Sequence, residues 1–340
     1  MKSPVTAPAP VPATTGTRSF YLSGKGETRS GLSLEDINHV ITDPKCRVWI
    51  DIDAGQPGQA EVLKRISGLH PLSVEDALAT NARPKTEEYP KYIFVIIIGV
   101  RFHEETPDPY DLETFDLSFF LGDNFLITVH DGPSSAVNDV AERIQKNPDL
   151  LSRGTDRLAH AIMDASIDEY FPLLDRIDEF VDRLEERVII EFDQSALPDI
   201  FSVKRLVLSL RRHVGPEREV FNILTNRPSQ LLSPESQIYF RDIYDHVLRI
   251  SDSIDTYREL LSSVLDSYLT QVSNRLGRVT KGLSVIATIS IPFVVLSGMW
   301  GMNFQNLPLA GHPHAFWWMF GIQLAVGLIL LVILRFWKLL

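Results

Sequence analysis

A long uncharged stretch lies near the C-terminal end of the chain. From Gly282 to Leu334 the sequence contains no Asp, Glu, Lys or Arg. A helix needs about 20 mostly apolar residues to cross a bilayer, so this stretch holds two crossings and a short connection. We therefore predict a first transmembrane helix over residues 282–300, a connecting outer loop over 301–315 and a second transmembrane helix over 316–334.

Basic residues flank the two predicted spans on one side only. Arg275, Arg278 and Lys281 precede the first span and the basic tail 335–340 follows the second, whereas the loop between them has no Lys or Arg. Positive residues stay on the cytoplasmic side of a membrane protein. The pattern predicts a protein of the inner (cell) membrane, with both termini in the cytoplasm.

The two spans differ in chemistry. The second is almost purely apolar, interrupted by Gln323 and two glycines, and is expected to face lipid. The first carries small or weakly polar residues at alternating intervals of three and four, which places them on one helical face. Such a face favours either helix–helix packing or, in an assembly of several copies, the wall of a water-filled conduit. The residues of this face are Thr280, Ser284, Ala287, Ile291, Val294, Gly298 and Gly301.

Residues 17–150 mix short β-like and helical patterns, which predicts a cytoplasmic α/β domain. Ser33, followed three residues later by Asp36, is a capping box that starts a helix. The other predicted elements are helices over 58–68, 71–79 and 134–146, and strands over 20–22, 47–52, 92–102, 116–121 and 125–130.

Residues 151–281 keep a helical spacing of apolar positions and are predicted to form a helical stalk. Pro198 interrupts the first helix, and the last one begins near Pro234 with no strong breaker before Pro292. A helix of roughly 60 residues is on the order of 90 Å long. The first span is therefore expected to continue directly from the stalk.

Composition adds mainly exclusions. Residues 1–16 are rich in Pro, Ala and Thr and are predicted to be a disordered tail. The single cysteine, Cys46, excludes a disulfide within the chain, and there is no C-x-x-C, H-E-x-x-H or phosphate-loop motif. The formal net charge is −11. We expect no enzyme activity and no nucleotide or nucleic-acid partner.

A short motif at the outer end of the first span carries a family resemblance. Gly301, Met302 and Asn303 match the GMN motif of the CorA family of divalent-cation channels. The segments 239–246 (YFRDIYDH), 272–274 (VSN) and 286–289 (IATI), followed by Pro292, also resemble that family in order and spacing. The resemblance extends from about residue 20 to the end of the chain.

The resemblance implies a homopentamer with a funnel-shaped cytoplasmic domain, in which five first spans surround the pore. Gly301, Met302 and Asn303 are then the selectivity filter, and Gly277, Thr280 and Leu283 join the pore-lining face. Mg²⁺ keeps its water shell and prefers oxygen ligands, so amide and carbonyl oxygens suit the hydrated ion. The implied activity is uptake of Mg²⁺, and also Co²⁺ or Ni²⁺, down the electrochemical gradient.

The same resemblance implies regulatory metal sites between subunits in the cytoplasm. The family places carboxylates in an E-D-x-L turn and on the stalk. The matching residues here are Glu75, Asp76, Asp164 and Asp242. They are expected to bind Mg²⁺ when it is plentiful and to hold the pore closed.

Departures from the family pattern leave alternatives open. Gly277 and Thr280 stand where an Asn and a Met are usual, which predicts a wider or more hydrated inner constriction. The outer loop lacks the usual acid and carries His312 and His314. These histidines motivate an alternative as a zinc transporter of the same superfamily, with or without coupling to protons, although Met302 of the motif is retained. A more remote alternative is a sensor or scaffold that the two spans only tether to the membrane.

Overall fold

The computed structural model describes residues 16–102, 112–191, 193–227, 229–302 and 311–337. The predicted disordered tail lies outside the described residues except for Gly16, whose carbonyl accepts a hydrogen bond from the Asp53 N–H at 2.7 Å. Asn303 and the outer loop up to Ala310 also lie outside them. The chain divides into two compact units, Met1–Glu186 with Ser195–Ser263 and Arg187–Gln194 with Val264–Leu340.

Within the described residues of the first unit, seven strands form one mixed sheet in the order β2-β1-β3-β7-β6-β5-β4. β3 and β7 are parallel, and the other neighbouring pairs are antiparallel. The strands are β1 (Thr17–Leu22), β2 (Thr28–Ser30), β3 (Arg47–Asp53), β4 (Lys85–Tyr89), β5 (Tyr92–Phe102), β6 (Leu112–Gly122) and β7 (Phe125–His130).

The helices predicted in the α/β domain are present, but Pro198 does not interrupt the first stalk helix. That helix is divided at Glu169 and its α-helical part ends at Glu186, whereas Pro198 lies in the first turn of the next helix, Ala196–Asn226. Ser33 caps α1 as predicted: its hydroxyl accepts the Asp36 N–H at 3.2 Å, and the Asp36 carboxylate accepts the Ser33 N–H at 3.3 Å. A π-helical turn covers Arg187–Glu191. The α-helices are α1 (Leu34–Ile41), α2 (Gln59–Lys64), α3 (Pro71–Leu78), α4 (Ser135–Lys146), α5 (Asp149–Ser152), α6 (Thr155–Asp168), α7 (Tyr170–Glu186), α8 (Ala196–Asn226), α9 (Pro234–Trp300) and α10 (Ala315–Phe336).

The sheet is covered by helices on its faces, so its central strands are buried on both sides. Every residue of β5 from Tyr92 to Val100 is buried, which matches its near-continuous run of Ile, Val and Phe. β4 is an end strand of polar residues, which limits pairing with other chains. α6 packs on β5, β6 and β7, and α8 packs on β4 and β5.

A buried carboxyl group completes the hydrogen bonding of β5 where β4 ends. β4 pairs with β5 only as far as Ile96. Beyond it, the Ile98 N–H donates to Glu217 Oε1 at 2.7 Å, and the Tyr170 hydroxyl donates to the Ile98 carbonyl at 2.9 Å. Burial raises the pKa of Glu217 to about 8, and the Ile98 N–H opposes that rise. Side chains of α7 and α8 thus form, at Ile98, the hydrogen bonds that a longer β4 would have formed.

Replacing Glu217 by Gln should remove a pH dependence of stability. The pKa of Glu217 is about 8 in the folded chain, above the ordinary value of 4.5. The protonated carboxyl group therefore contributes its full stabilisation of the fold below pH 4.5. This contribution declines as the pH rises above that value and is lost as the pH rises through about 8. We expect the thermal midpoint of the purified wild type to fall over that range and that of Glu217→Gln to fall less. Glu219→Gln, an exposed change on the same helix, is the control; equal slopes for all three proteins would contradict the assignment.

The second unit contains the end of α9 and α10, which pack against each other as a hairpin. Both helices are long and apolar enough to cross a membrane, with mean hydropathy of 1.9 and 2.3 over their most apolar windows. Gln323 Nε2 donates to Ser297 Oγ at 2.7 Å. A Cβ added to Gly327 would lie 2.7 Å from Phe293 Cζ, so the ring packs directly on the glycine. α10 therefore does not face lipid all round, and two of the interruptions in its apolar sequence, Gln323 and Gly327, mark its contact with α9.

Candidate functional site

The predicted pore-lining face of α9 is open in the single chain. Each of its residues is exposed, and no part of the most apolar window of this helix is buried. Apolar side chains left outside a fold mark a surface for lipid or for another chain. The exposed residues are Gly277, Thr280, Leu283, Ser284, Ala287, Ile291, Val294, Gly298 and Gly301.

Two glycines on this face are not required by contacts with the described residues of the chain. A Cβ added to Gly277 or Gly298 would meet none of their atoms within 4 Å. Glycine inside a helix lowers its stability by about 1 kcal/mol relative to alanine. The fold of one chain therefore gives no reason for glycine here, whereas close approach of a second helix or an ion does.

A second stripe, of large apolar residues, runs beside this face over the part of α9 that leads into the predicted first span. Its members recur at intervals of three and four, the spacing of a coiled-coil seam. Their exposed fractions range from 38% at Val272 to 66% at Leu276. A polar environment disfavours such a stripe unless other helices cover it. The stripe consists of Leu269, Val272, Leu276, Val279 and Ile286, and Leu283, which is also counted with the predicted pore-lining face, lies on the border between the two.

The predicted filter begins where α9 ends. The helix ends at Trp300, and the Gly301 N–H still donates to the Ser297 carbonyl at 3.0 Å. Gly301 and Met302 are both exposed. Asn303, the third residue of the predicted filter, lies outside the described residues, so its position remains a prediction.

Three side chains with metal-binding chemistry meet between α6 and α9 in the first unit. One potential ligand atom from each of Asp164, Asp168 and His246 lies within 4.8 Å of the other two. His246 Nδ1 approaches Asp168 Oδ1 to 3.3 Å. The approach lacks hydrogen-bond geometry, and among the described residues this buried nitrogen has no hydrogen-bond partner. A cation between the three groups would give each of them a partner.

Electrostatics also favour a cation at this cluster. Burial raises the pKa of Asp164, and the negative charges of Asp168 and Asp242 raise it further, against the opposing effects of His160 and His246. A raised pKa means that the surroundings of a carboxylate do not balance its negative charge with enough positive charge or hydrogen-bond donors. A bound divalent ion would supply the missing positive charge.

The four predicted regulatory residues fall in two places. Asp164 belongs to the cluster, and exposed Asp242 lies one turn before His246 on α9. Glu75 and Asp76 lie on α3 and are not members of the cluster. The Asp76 carboxylate accepts a hydrogen bond from Lys85 Nζ at 2.6 Å.

Lys85 joins two carboxylates on the surface of the first unit. Its Nζ donates to Asp76 Oδ2 at 2.6 Å and to Glu87 Oε1 at 2.8 Å. Burial alone would lower the pKa of Lys85, but these two hydrogen bonds raise it. Asp76 is therefore partly neutralised within its own chain, and a metal ion at this carboxylate competes with a lysine.

Sequence reasoning missed Asp168 and His246 as candidate metal ligands. A local signal exists, because Asp164 and Asp168 are four residues apart on one helix, as are Asp242 and His246 on another. That spacing puts each pair on one helical face. The meeting of the two faces depends on the packing of α6 with α9, which no local pattern reports.

Most of the chain matches one family of known proteins. Residues 46–335 fit the family described as CorA-like Mg²⁺ transporter protein. The chain belongs to the CorA family. The cobalt/magnesium transport protein CorA of Thermotoga maritima is 32% identical over 311 residues, which cover 89% of this chain and 86% of that protein. The putative metal ion transporter YfjQ of Bacillus subtilis is 29% identical over 291 residues, covering 85% and 89% respectively.

A solved CorA structure shares the fold. The CorA magnesium transporter from Methanocaldococcus jannaschii superimposes with a TM-score of 0.78 at 22% identity, covering 93% of this chain and 97% of that one. The predicted family is confirmed. The mixed sheet, the long helix and the two candidate C-terminal spans fit the predicted fold. The chain is a divalent-cation transport protein of the membrane.

Proposed function

We propose that five copies of this CorA chain form a channel that admits Mg²⁺ to the cytoplasm, with both chain termini on the cytoplasmic side. The exposed face of α9 from Gly277 to Gly301 lines the pore. The motif Gly301, Met302 and Asn303 forms the outer filter. Co²⁺ is a further candidate ion, because the Thermotoga maritima relative is named a cobalt/magnesium transport protein. Ni²⁺ is a candidate only through the family resemblance of the sequence.

One observation carries this proposal: a single helix has two adjacent exposed stripes, one of large apolar residues and the other of mostly small or weakly polar residues. The apolar stripe from Leu269 to Ile286 suits contact with neighbouring copies. The adjacent small residues then face a central axis, where they leave room for a hydrated ion. Two helices that only anchored a sensor or scaffold in the membrane would need neither stripe.

Transport needs no chemical energy source. A membrane potential of about 100 mV is worth about 4.6 kcal/mol for a divalent ion. By the tenfold-per-1.4 kcal/mol rule, this supports an accumulation of about a thousandfold. Mg²⁺ gives up its water slowly, so we propose that the filter oxygens hydrogen-bond to the hydrated ion.

Flux into liposomes tests the proposal. Purified chain is reconstituted, and Mg²⁺, Co²⁺, Ni²⁺ and Zn²⁺ are offered in turn under a membrane potential, with and without a pH gradient. We expect Mg²⁺ entry that does not depend on the pH gradient, from particles with the mass of a pentamer. Vesicles that stay closed to all four ions, or a chain that is monomeric in lipid, would refute it.

The zinc alternative rests on two histidines at the start of α10. The His314 N–H donates to His312 Nδ1 at 3.3 Å, and the rings lie 6.1 Å apart. The Nδ1 of His312 is thus already used within the chain, which weakens the pair as a zinc site. Faster flux of Zn²⁺ than of Mg²⁺, driven by the pH gradient, would favour this alternative.

We further propose that cytoplasmic divalent ions close the channel through Asp164, Asp168 and His246, together with the carboxylates Asp76 and Asp242. Carboxylates suit Mg²⁺, whereas an imidazole favours Co²⁺ and Ni²⁺. The cluster is therefore expected to bind Co²⁺ more tightly than Mg²⁺. Glu75, next to Asp76, is included as a lesser ligand.

Replacing His246 by Ala should affect the binding of Co²⁺ and the binding of Mg²⁺ differently. Losing the imidazole ligand is expected to weaken Co²⁺ binding by about tenfold and to leave Mg²⁺ binding nearly unchanged. Calorimetric titration of the purified full-length chain with each ion measures this. His39→Ala, an exposed histidine on α1, is the matched control. An equal loss for both ions would show that His246 acts through structure rather than as a ligand.

A further inference from the structure

A polar contact inside the hairpin lies close to the predicted filter. Between Phe316 and Leu334, Gln323 is the one residue with a side-chain amide or carboxyl group, and only 8% of it is exposed. Its Nε2 donates to Ser297 Oγ at 2.7 Å. A side-chain amide in an apolar medium is costly unless it is hydrogen-bonded. The need to keep the Gln323–Ser297 hydrogen bond therefore restricts how α10 and the end of α9 can rotate against each other.

Ser297 connects this contact to the filter. Its hydroxyl accepts the Gln323 amide, and its backbone carbonyl accepts the Gly301 N–H at 3.0 Å. The last turn of α9, which carries Gly301, is therefore fixed to the neighbouring span at one residue. A second contact lies one turn earlier, where the Phe293 ring packs on Gly327.

We propose that Gln323 is a positioning residue for the outer mouth, which sets the direction of Gly301 and Met302 through Ser297. This inference rests on the proposed function of Gly301 as part of the filter. Selection between ions of similar size depends on where the filter oxygens stand, and such groups need to be held within about 0.5 Å. The Gln323–Ser297 contact thus tunes the choice between Mg²⁺ and Co²⁺.

A purely structural contact predicts different behaviour. A pair that only holds the hairpin together would change the amount of folded pentamer and lower the flux of all ions by the same factor. A positioning pair changes the ratio of the Mg²⁺ and Co²⁺ rates in channels that are assembled normally. The ratio is therefore the informative measurement.

The test compares initial rates of Mg²⁺ and Co²⁺ entry into liposomes that contain the full-length chain. Gln323→Leu and Ser297→Ala are each expected to change the rate ratio by about threefold, the size of one hydrogen bond between membrane helices. The double variant should show the same ratio as either single variant, because both changes remove one contact. Ser297→Thr, which keeps the hydroxyl, and Leu324→Ala, on the exposed face of α10, should keep the wild-type ratio.

The outcomes separate this inference from the proposed function. In one outcome the wild type admits Mg²⁺ and Asn303→Ala does not, while Gln323→Leu and Ser297→Ala both keep the wild-type ratio. That outcome would support the filter assignment and refute the positioning role of Gln323. Ratio changes that multiply in the double variant also overturn it. Ser297→Ala is the smaller change and decides the matter if Gln323→Leu fails to assemble. A wild type closed to divalent ions overturns both proposals.

Discussion

Asn303→Ala is expected to abolish Mg²⁺ entry while the chain still assembles in the membrane. In a pentamer the change removes five amide groups from the outer mouth at once. A hydrogen bond to a charged group is worth about 1.5–3 kcal/mol, so even one of them accounts for about a tenfold loss of ion binding. Mg²⁺-dependent fluorescence in liposomes measures the flux, and the mass of the detergent-solubilised particle measures assembly.

Asn306→Ala is the matched control for this change. It removes the same side chain from the same connecting loop, three residues beyond the motif. We expect its flux to equal that of wild type. If Asn303→Ala also keeps the wild-type flux, the two spans act as a membrane tether and the filter assignment is wrong.

The predictable parts of the fold are those that local patterns encode. The predicted strand over 92–102 has the same bounds as β5, and the predicted strand over 125–130 has those of β7. Both are apolar on two faces, so their composition alone identifies them. The capping box at Ser33 involves neighbouring residues only, and it forms as predicted.

The unpredicted strands depend on their partners. β4 has the sequence KTEEY and β2 the sequence TRS, with no apolar alternation in either. β4 forms because β5 offers an open edge from Tyr92 to Ile96. Strand formation there depends on pairing rather than on intrinsic preference, and a polar composition suits an outer strand.

The same division applies to the candidate sites. The face of α9 is periodic along one helix, so the sequence alone locates its residues. The cluster of Asp164, Asp168 and His246 joins helices that are distant in sequence. Gln323 is similar, because its sequence context is apolar and its hydrogen-bond partner on α9 is visible only after folding. At both sites the sequence prediction lacked the contacts between elements, and it also missed the strands β2 and β4, which form through pairing.

Asp76→Asn combined with Asp242→Asn is expected to relieve inhibition by cytoplasmic Mg²⁺. If ions bound between subunits hold the channel closed, removing the negative charges of Asp76 and Asp242 weakens the binding of those ions. Each lost carboxylate contact is worth about 1 kcal/mol or more, so the half-inhibitory Mg²⁺ concentration should rise at least about tenfold. Currents in excised membrane patches, with Mg²⁺ varied on the cytoplasmic side, measure it. Glu35→Gln, an exposed carboxylate on α1, is the charge-matched control.

Lys85→Gln should move the inhibition in the opposite direction. Lys85 Nζ lies 2.6 Å from the Asp76 carboxylate and competes with any metal ion there. Removing this cation frees the carboxylate, and the half-inhibitory Mg²⁺ concentration should fall. A general loosening of the subunit interface would raise that concentration in every variant. Opposite shifts in the two variants therefore identify Asp76 as a metal ligand, whereas shifts in the same direction, or none, would remove it from the regulatory site.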